Sequence, residues 1–208
     1  MNLMNKKGTV FVVSGPSGTG KGTIMTEYFK RYPNDNSFLS ISATTRNPRP
    51  TDAEGVTYYF KTKDEFEELI KNDGLVEYAM FCGNYYGTPK KPIDDMTAEG
   101  KNVILEIEVQ GGKQVMERFE DAVGIFVLPP SFKELKRRLV GRNTETEEVI
   151  TNRLNRALEE INEIDNYHYI LINDNLDDAV ETFRAIIKGE NQKVTRNKNI
   201  IKEVCEIC

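Results

Sequence analysis

This sequence predicts an α/β fold with a mainly parallel sheet covered by helices on both faces, and three observations carry that reading. Short runs such as Val10-Phe11-Val12-Val13 and Val123 to Leu128 are wholly apolar. They lack the polar alternation of a half-solvated sheet, so the sheet must be buried on both sides. Helical stretches separate these runs, which is the order of βαβ units. A glycine-rich loop, Gly15-Pro16-Ser17-Gly18-Thr19-Gly20-Lys21, joins the first run to the first helix.

The elements follow in order. Val10 to Ser14 is a buried strand and Gly22 to Arg31 a helix. Phe38 to Ile41 is a short strand. Val56 to Phe60 is rich in β-formers and bounded by Gly55. Asp64 to Asn72 is a helix, with Asp64 as its N-cap or a first-turn acid. Leu75 to Phe81 is a strand. Pro89 to Glu99 is a helix stopped by Gly100. Asn102 to Glu108 is an apolar strand ending in acids, and Gly111 to Phe119 the helix after it. Val123 to Leu128 is a strand, followed by charged helices over Ser131 to Val140 and Thr146 to Ile164. Tyr169 to Ile172 is a strand and Asp177 to Lys188 the last core helix. From Gly189 the chain is polar and lysine-rich, and reads as a solvated, partly helical extension.

The loop after the first strand has a direct chemical reading. Glycines let successive backbone N–H groups curl around an anion, and the helix N-terminus adds partial positive charge. Lys21 adds a full one. Such a loop holds the β- and γ-phosphates of ATP or GTP. The pattern calls for Ser or Thr directly after the lysine to help hold Mg²⁺, but here Gly22 follows and Thr23 comes next. Either Thr23 supplies the hydroxyl one residue later, or Mg²⁺ keeps more of its water.

Composition bounds the function. The 208 residues allow one sizeable core with small inserted lobes. Charged residues make up 29% and hydrophobic residues 38%, ordinary for a globular chain. A net charge of −5 argues against non-specific nucleic-acid binding. No apolar run reaches the ~18 residues of a membrane span, and Met1 to Lys7 lacks a signal-peptide apolar region. A cytoplasmic location is expected. Cys82, Cys205 and Cys208 suit a reducing compartment, and Cys205 and Cys208 read as incidental residues of the tail. The single histidine, His168, reads as structural.

Two further segments do not look like core. Ser42 to Pro50 carries Arg46 and Arg49 on a proline-stiffened loop, and arginine forks suit phosphate oxygens. Glu77 stands in an apolar strand and needs a partner there. Tyr58 and Tyr86 bring phenol hydroxyls. Glu106 is either a second site acid or a strand-end residue facing solvent. Arg138 has Glu134 four residues before it and Arg156 has Glu160 four after. Both pairs fit helical ion pairs, and Arg156 reads as solvated.

On these residues the chain resembles guanylate kinases over roughly positions 8 to 188. The resemblance rests on Ser14 to Gly18, Thr44-Thr45-Arg46 with Pro48-Arg49, Gly83 to Thr88, Val109-Gln110-Gly111, Arg138 to Arg142 running into Thr144 to Glu148, and Asn173-Asp174. It implies a P-loop kinase core at 1–38, 98–134 and 166–190, an inserted GMP-binding lobe at 39–97, a helical lid at 135–165 and a tail at 191–208. It implies Mg²⁺-assisted transfer of the γ-phosphate of ATP to GMP, and extends the acceptor to dGMP. The protein would be a monomer or homodimer with no nucleic-acid or membrane partner.

The resemblance also implies residue roles. Gly15 through Thr23 would bind ATP, with Asn173 near its adenine. Arg46, Arg49, Tyr58 and Tyr86 would clamp the GMP phosphate. Glu77 would read guanine, assisted by Ser42 and Thr88. Glu108 stands where the family usually has Asp, and its partner could be guanine, a Mg²⁺-bound water or a clamp arginine. Lys21, Arg46 and the lid arginines Arg138, Arg142 and Arg153 would act in catalysis. Asn143 replaces a common glycine of the lid hinge. The alternatives are a related P-loop kinase for another nucleoside monophosphate or a sugar phosphate, and a non-catalytic guanylate-kinase-like binding module.

Overall fold

A computed structural model describes residues 7–81, 83–141, 147–198 and 204–205. Arg142 and Asn143 of the lid reading and Cys208 of the tail lie outside these residues. The central sheet holds β1 (Val10–Ser14), β2 (Ser37–Leu39), β7 (Asn102–Glu106), β8 (Val123–Leu128) and β9 (Tyr169–Ile172). Their order is β2-β7-β1-β8-β9, and every neighbouring pair runs parallel. β1 therefore lies in the middle, with β7 on one side and β8 on the other. The crevice at the carboxyl end of such a central strand is where open parallel sheets bind ligands.

The alternation along β1 shows why this strand is wholly apolar. Phe11 and Val13 enter a core with Ile24, Met25 and Tyr28 of α1 (Lys21–Arg31) and Val180 and Phe183 of α7 (Leu176–Asn191). Val10 and Val12 enter a second core on the other face. It contains Ile93 of α3 (Lys90–Ala98) and Val115 of α4 (Val109–Arg118). Each face needs its own apolar set, and one strand supplies both.

A smaller sheet sits beside the first. Its strands are β3 (Ala43–Thr44), β4 (Tyr59–Phe60), β5 (Leu75–Phe81) and β6 (Asn84–Pro89), in the order β4-β3-β6-β5. Its core is small: Ala43, Leu75 and Phe66 of α2 (Lys63–Lys71), with Tyr59, Leu69, Ile70 and Tyr85 partly buried around them. The Phe66 and Tyr85 rings stack at 5.1 Å. A fourth apolar patch joins α5 (Phe132–Val140) to α6 (Glu147–Ile161), through Leu135, Leu139, Ala157, Ile150 and Leu154.

Several boundaries differ from the sequence expectations. The run 56–60 contributes only Tyr59–Phe60 as strand. Ahead of it the Gly55 N–H closes a turn on the Tyr58 carbonyl, and Val56 is 71% exposed. Asp64 is a first-turn acid and not the cap. Thr62 caps α2 in a reciprocal box with Glu65, which satisfies two helix-end N–H groups at once. Residues 84–89 form a strand with no apolar alternation, because β3 and β5 pair with it on both sides. α6 stops at Ile161, and a 3-10 turn covers Ile164–Asn166. The start of the tail is docked: Arg196 donates to the Asp121 carbonyl and to the buried Glu190 carboxylate.

Because the small sheet has so little core, one side chain carries much of it. Phe66→Ala should cost about 3–5 kcal/mol. Hydrogen exchange should quicken at the amides of β3, β5 and β6 by about two orders of magnitude, while β1 and β8 keep their protection. Uniform loss across both sheets would show that they unfold as one unit.

Candidate active site

The loop after β1 turns on glycines for a steric reason. Gly20 caps α1 at φ 89°, a left-handed conformation, and a Cβ there would stand 2.4 Å from the Asn173 side chain. Asn173 is buried and donates to the Thr19 carbonyl at 2.8 Å, so it braces the loop from behind. Arg138 adds to this brace. Its guanidinium donates to the Asn173 carbonyl at 3.0 Å and reaches the Thr19 carbonyl at 3.5 Å, while Glu134 holds its Nε. Thr19 and Pro16 close the loop from within through Thr19 Oγ1. Lys21 folds back, donating to the carbonyls of Gly15 at 2.6 Å and Pro16 at 3.2 Å.

Two cavities meet at this loop. One, about 560 Å³, is lined by Ser17, Gly18, Gly20, Lys21, Gly22 and Thr23, with Thr26, Glu27 and Glu106. Gly22 opens space here. A Cβ on it would lie 3.5 Å from both Glu106 carboxylate oxygens, so the end of β7 faces the first turn of α1 directly. Burial raises the pKa of Glu106, and Lys21 opposes that rise. Glu106 therefore lines the site while remaining solvent-accessible at the end of its strand, so the two readings of it hold together.

The other cavity, about 540 Å³, runs from the loop to the small sheet. Gly15, Ser17 and Lys21 line one end, and Ser42, Arg49, Tyr58, Glu77 and Tyr86 the other. Glu108 and Arg153 border it as well. The structure thus brings together residues far apart in sequence, as expected for Ser42, Arg49, Tyr58, Glu77, Tyr86, Glu108 and Arg153. Pro16, Thr19, Arg46, Thr88, Arg138 and Asn173 stand behind the walls.

Glu77 is the most unusual wall group. A register shift between Leu75 and Glu77 on β5 breaks the strand's alternation. Such irregularities re-aim side chains, and here Val76 and Glu77 are both buried. Glu77 is 7% exposed and lies opposite Thr88 in the ladder, which donates its Oγ1 hydroxyl to Glu77 Oε1 at 2.6 Å. The other oxygen faces Gly111 so closely that a Cβ there would stand 2.6 Å away. Any larger residue in this first turn of α4 would force the Glu77 carboxylate to shift. Burial is the main cause of a Glu77 pKa pushed up to about 7, with the Thr88 bond pulling the other way and Glu108 adding to the rise.

The arginine loop is organised by a residue that sequence reasoning missed. Arg46 Nη2 donates to Asp52 Oδ2 at 2.8 Å, and the Arg49 backbone N–H donates to the same oxygen at 2.7 Å. Arg46 also packs over Tyr58, 5.4 Å from its ring centre, and Tyr58 meets Tyr86 edge-on at 6.0 Å. The signal in the sequence is an acid three residues after Arg49 and six after Arg46. Helical spacing rules do not find it, because the segment is a loop.

Helix α6 reaches farther than its sequence spacing indicates. Arg153 Nη1 donates to Ser17 Oγ at 3.2 Å, joining α6 to the phosphate loop. Arg156 pairs with Glu160 as its spacing indicates, with Nε to Oε1 at 3.0 Å. It also reaches across to Glu108 Oε2 at 2.6 Å, and Arg156 and Glu160 both line the cavity that runs to the small sheet.

A parallel sheet in this order, with a glycine-rich loop and helix after its central strand and an acceptor-sized cavity beside it, defines a phosphotransferase of the P-loop class. Comparison with known proteins narrows the class. The guanylate kinase family model matches residues 7–190. A guanylate kinase of Clostridium tetani is 47% identical over 196 residues, covering 94% of this chain and 93% of its own. One from Bacillus cereus is 49% identical over 205 residues, covering 98% of this chain and 99% of its own. The crystal structure of guanylate kinase from Anaplasma phagocytophilum superposes with a TM-score of 0.75 at 31% identity, covering 92% of this chain and 90% of that one. This chain belongs to the guanylate kinase family.

The raised pKa of Glu77 has a sign that stability measurements can check. Ionising a carboxyl whose folded pKa lies above its unfolded value opposes folding. The penalty is absent below pH 4.5, grows as pH rises and is complete above about 7. Glu77→Gln removes it. The variant should be more stable than the parent at pH 8 by up to about 3 kcal/mol. The gap should close toward pH 4.5, as read by urea unfolding at both values.

Proposed function

We infer that this chain transfers the γ-phosphate of ATP to GMP, giving ADP and GDP. The observation that carries this reading is the buried Glu77 carboxylate, held by Thr88 at one end of a cavity whose other end is the phosphate-binding loop with Lys21. An ionised carboxylate accepts from guanine N1–H and the 2-amino group together. Adenine presents a lone pair at N1 and no 2-amino group. Buried polar pairing of this kind discriminates by roughly 10⁴-fold or more. Ser42, on the same wall, supports the base contact. dGMP fits the same seat, since Glu77 reads the base and not the sugar.

The rest of the site matches phosphoryl transfer. Arg49, Tyr58 and Tyr86, with Arg46 held behind them by Asp52, form a clamp for the GMP phosphate. Its second pKa is near 6, as for phosphate monoesters, so at neutral pH it attacks without a general base. A GMP phosphate oxygen forms the new bond to the γ-phosphorus as the bond to the bridging β-oxygen breaks. ADP leaves in line. The chain's work is positioning and charge. The loop amides hold the ATP phosphates, and Lys21 exchanges its two loop carbonyls for phosphate oxygens. Arg153, already on Ser17, closes from the lid together with Arg142. Arg138 and Asn173 keep the loop in shape at the adenine end. The lid excludes water that would otherwise hydrolyse ATP.

Mg²⁺ fits this site. Thr23 and Glu106 line the cavity beside the loop, and the space left by Gly22 is open toward the Glu106 carboxylate. These two groups would hold the ion on the ATP phosphates, largely through water, and when bound it supplies charge neutralisation on the transferring group. The donor core comprises 1–38, 98–134 and 166–190. The acceptor lobe lies within 39–97, chiefly its four-stranded sheet, and the lid is 135–165. No described helix is long and apolar enough to cross a membrane. A cytoplasmic enzyme fits that observation.

The test is ADP release with ATP and Mg²⁺ against GMP, AMP, CMP and UMP in parallel. GMP alone should support turnover. Glu77→Ala should raise the GMP KM by at least about 100-fold with the ATP KM within twofold. Lys21→Ala should abolish transfer while GMP still binds. Equal loss toward both substrates in the Glu77 variant would remove the guanine-reader assignment. The pH dependence follows from the same group. Protonated Glu77 donates where guanine also donates, so the GMP KM should climb about tenfold per unit as pH falls below 7.

A further inference from the structure

We propose that Arg156 is a positioning residue of the acceptor site, docking lid helix α6 onto the guanine wall through Glu108. The proposal rests on the reading of Glu77 as the guanine seat. Two arginines, three residues apart on α6, touch the two halves of the cleft. Arg153 bonds Ser17 of the phosphate loop, and Arg156 bonds Glu108 at 2.6 Å. Glu108 is the N-cap residue of α4 and makes no cap hydrogen bond with its side chain. Three residues further on, Gly111 closes directly over Glu77. The carboxylate that Arg156 holds therefore stands at the start of the helix that forms one wall of the Glu77 seat.

Arg156 has a geometry that a lysine could not copy. Its planar fork spans two carboxylates at once, Nη2 to Glu108 and Nε to Glu160. Glu108 and Glu160 line the same cavity as Glu77. With Arg156 in place, Glu108 is turned toward the lid and its charge is compensated. Without it, a second anion is free to turn toward the seat, which must hold one ionised carboxylate to bind guanine. Glu108 occupies this role with a side chain one methylene longer than Asp, and the added length carries its carboxylate outward to meet α6. Lid placement and acceptor seating are thus coupled through one bond, while Arg153 handles the donor side.

The pair is a poor stability element. The Arg156 side chain is 39% exposed and Glu108 53% exposed. Exposed ion pairs contribute little to folding, so a merely structural role and the proposed role give different readouts. The experiment measures steady-state kinetics with ATP and GMP for the parent, Arg156→Ala, Arg156→Lys, Glu108→Gln and the double variant Arg156→Ala/Glu108→Gln, with thermal unfolding of each. Arg156→Ala should raise the GMP KM on the order of tenfold, leave the ATP KM within twofold and keep the parent's melting temperature. Arg156→Lys should recover part of the loss. The double variant should cost no more than Arg156→Ala alone, because the two residues act as one unit. Additive losses, equal rises in both KM values, or an unchanged GMP KM in Arg156→Ala would each overturn the proposal. If the parent turns over GMP and only the Arg156 variants fail to behave as expected, the guanine-seat reading survives. If the parent does not turn over GMP, both fall.

Discussion

The hydrogen bond from Thr88 to Glu77 fixes a largely buried carboxylate in the cavity wall, and that side of the cleft is arranged around it. A buried carboxylate is costly to ionise. In the proposed reading, two N–H donors that arrive together with guanine offset that cost on binding. Other features serve the same carboxylate. The irregularity on β5 aims it inward, Gly111 lets α4 approach it, and β6 brings the Thr88 hydroxyl opposite.

The donor side is organised by a different constraint. A loop that offers most of its backbone amides to an anion has few left to hold itself together, so beyond the Thr19–Pro16 closure its shape is held from outside. Asn173 and Arg138 do this by donating to the Thr19 carbonyl of the loop, and Arg138 also donates to the Asn173 carbonyl. Lys21 waits on two more loop carbonyls. The site is therefore largely built before nucleotide arrives. In the proposed reading, what remains to move are the lysine ammonium and the segment 135–165, whose own small apolar patch joins α5 to α6.

Much of this was legible in the sequence. The central strands announced themselves because both faces are buried, so every residue had to be apolar. The phosphate loop was legible because its chemistry demands glycines at fixed places between a strand and a helix. Glu77 was legible as an acid with no reason to be in an apolar strand. The unread parts depend on pairing between distant segments. β6 has no apolar alternation of its own, since its place is set by β3 and β5. Asp52 organises Arg46 and Arg49 on a loop, where no periodicity marks a partner. Arg156 satisfies a helical spacing rule with Glu160, and that local match concealed its longer reach to Glu108.

The central claim is that guanine binds to an ionised Glu77 that free protein leaves partly protonated near neutrality. Carbon-13 titration of the glutamate carboxyl carbons, with Glu77→Gln to assign the resonance, tests it directly. Free protein should show Glu77 titrating at about 7. Saturating GMP should lower that midpoint by about two units or more, because two donors then stabilise the anion. A Glu77 midpoint that GMP leaves in place would contradict the account.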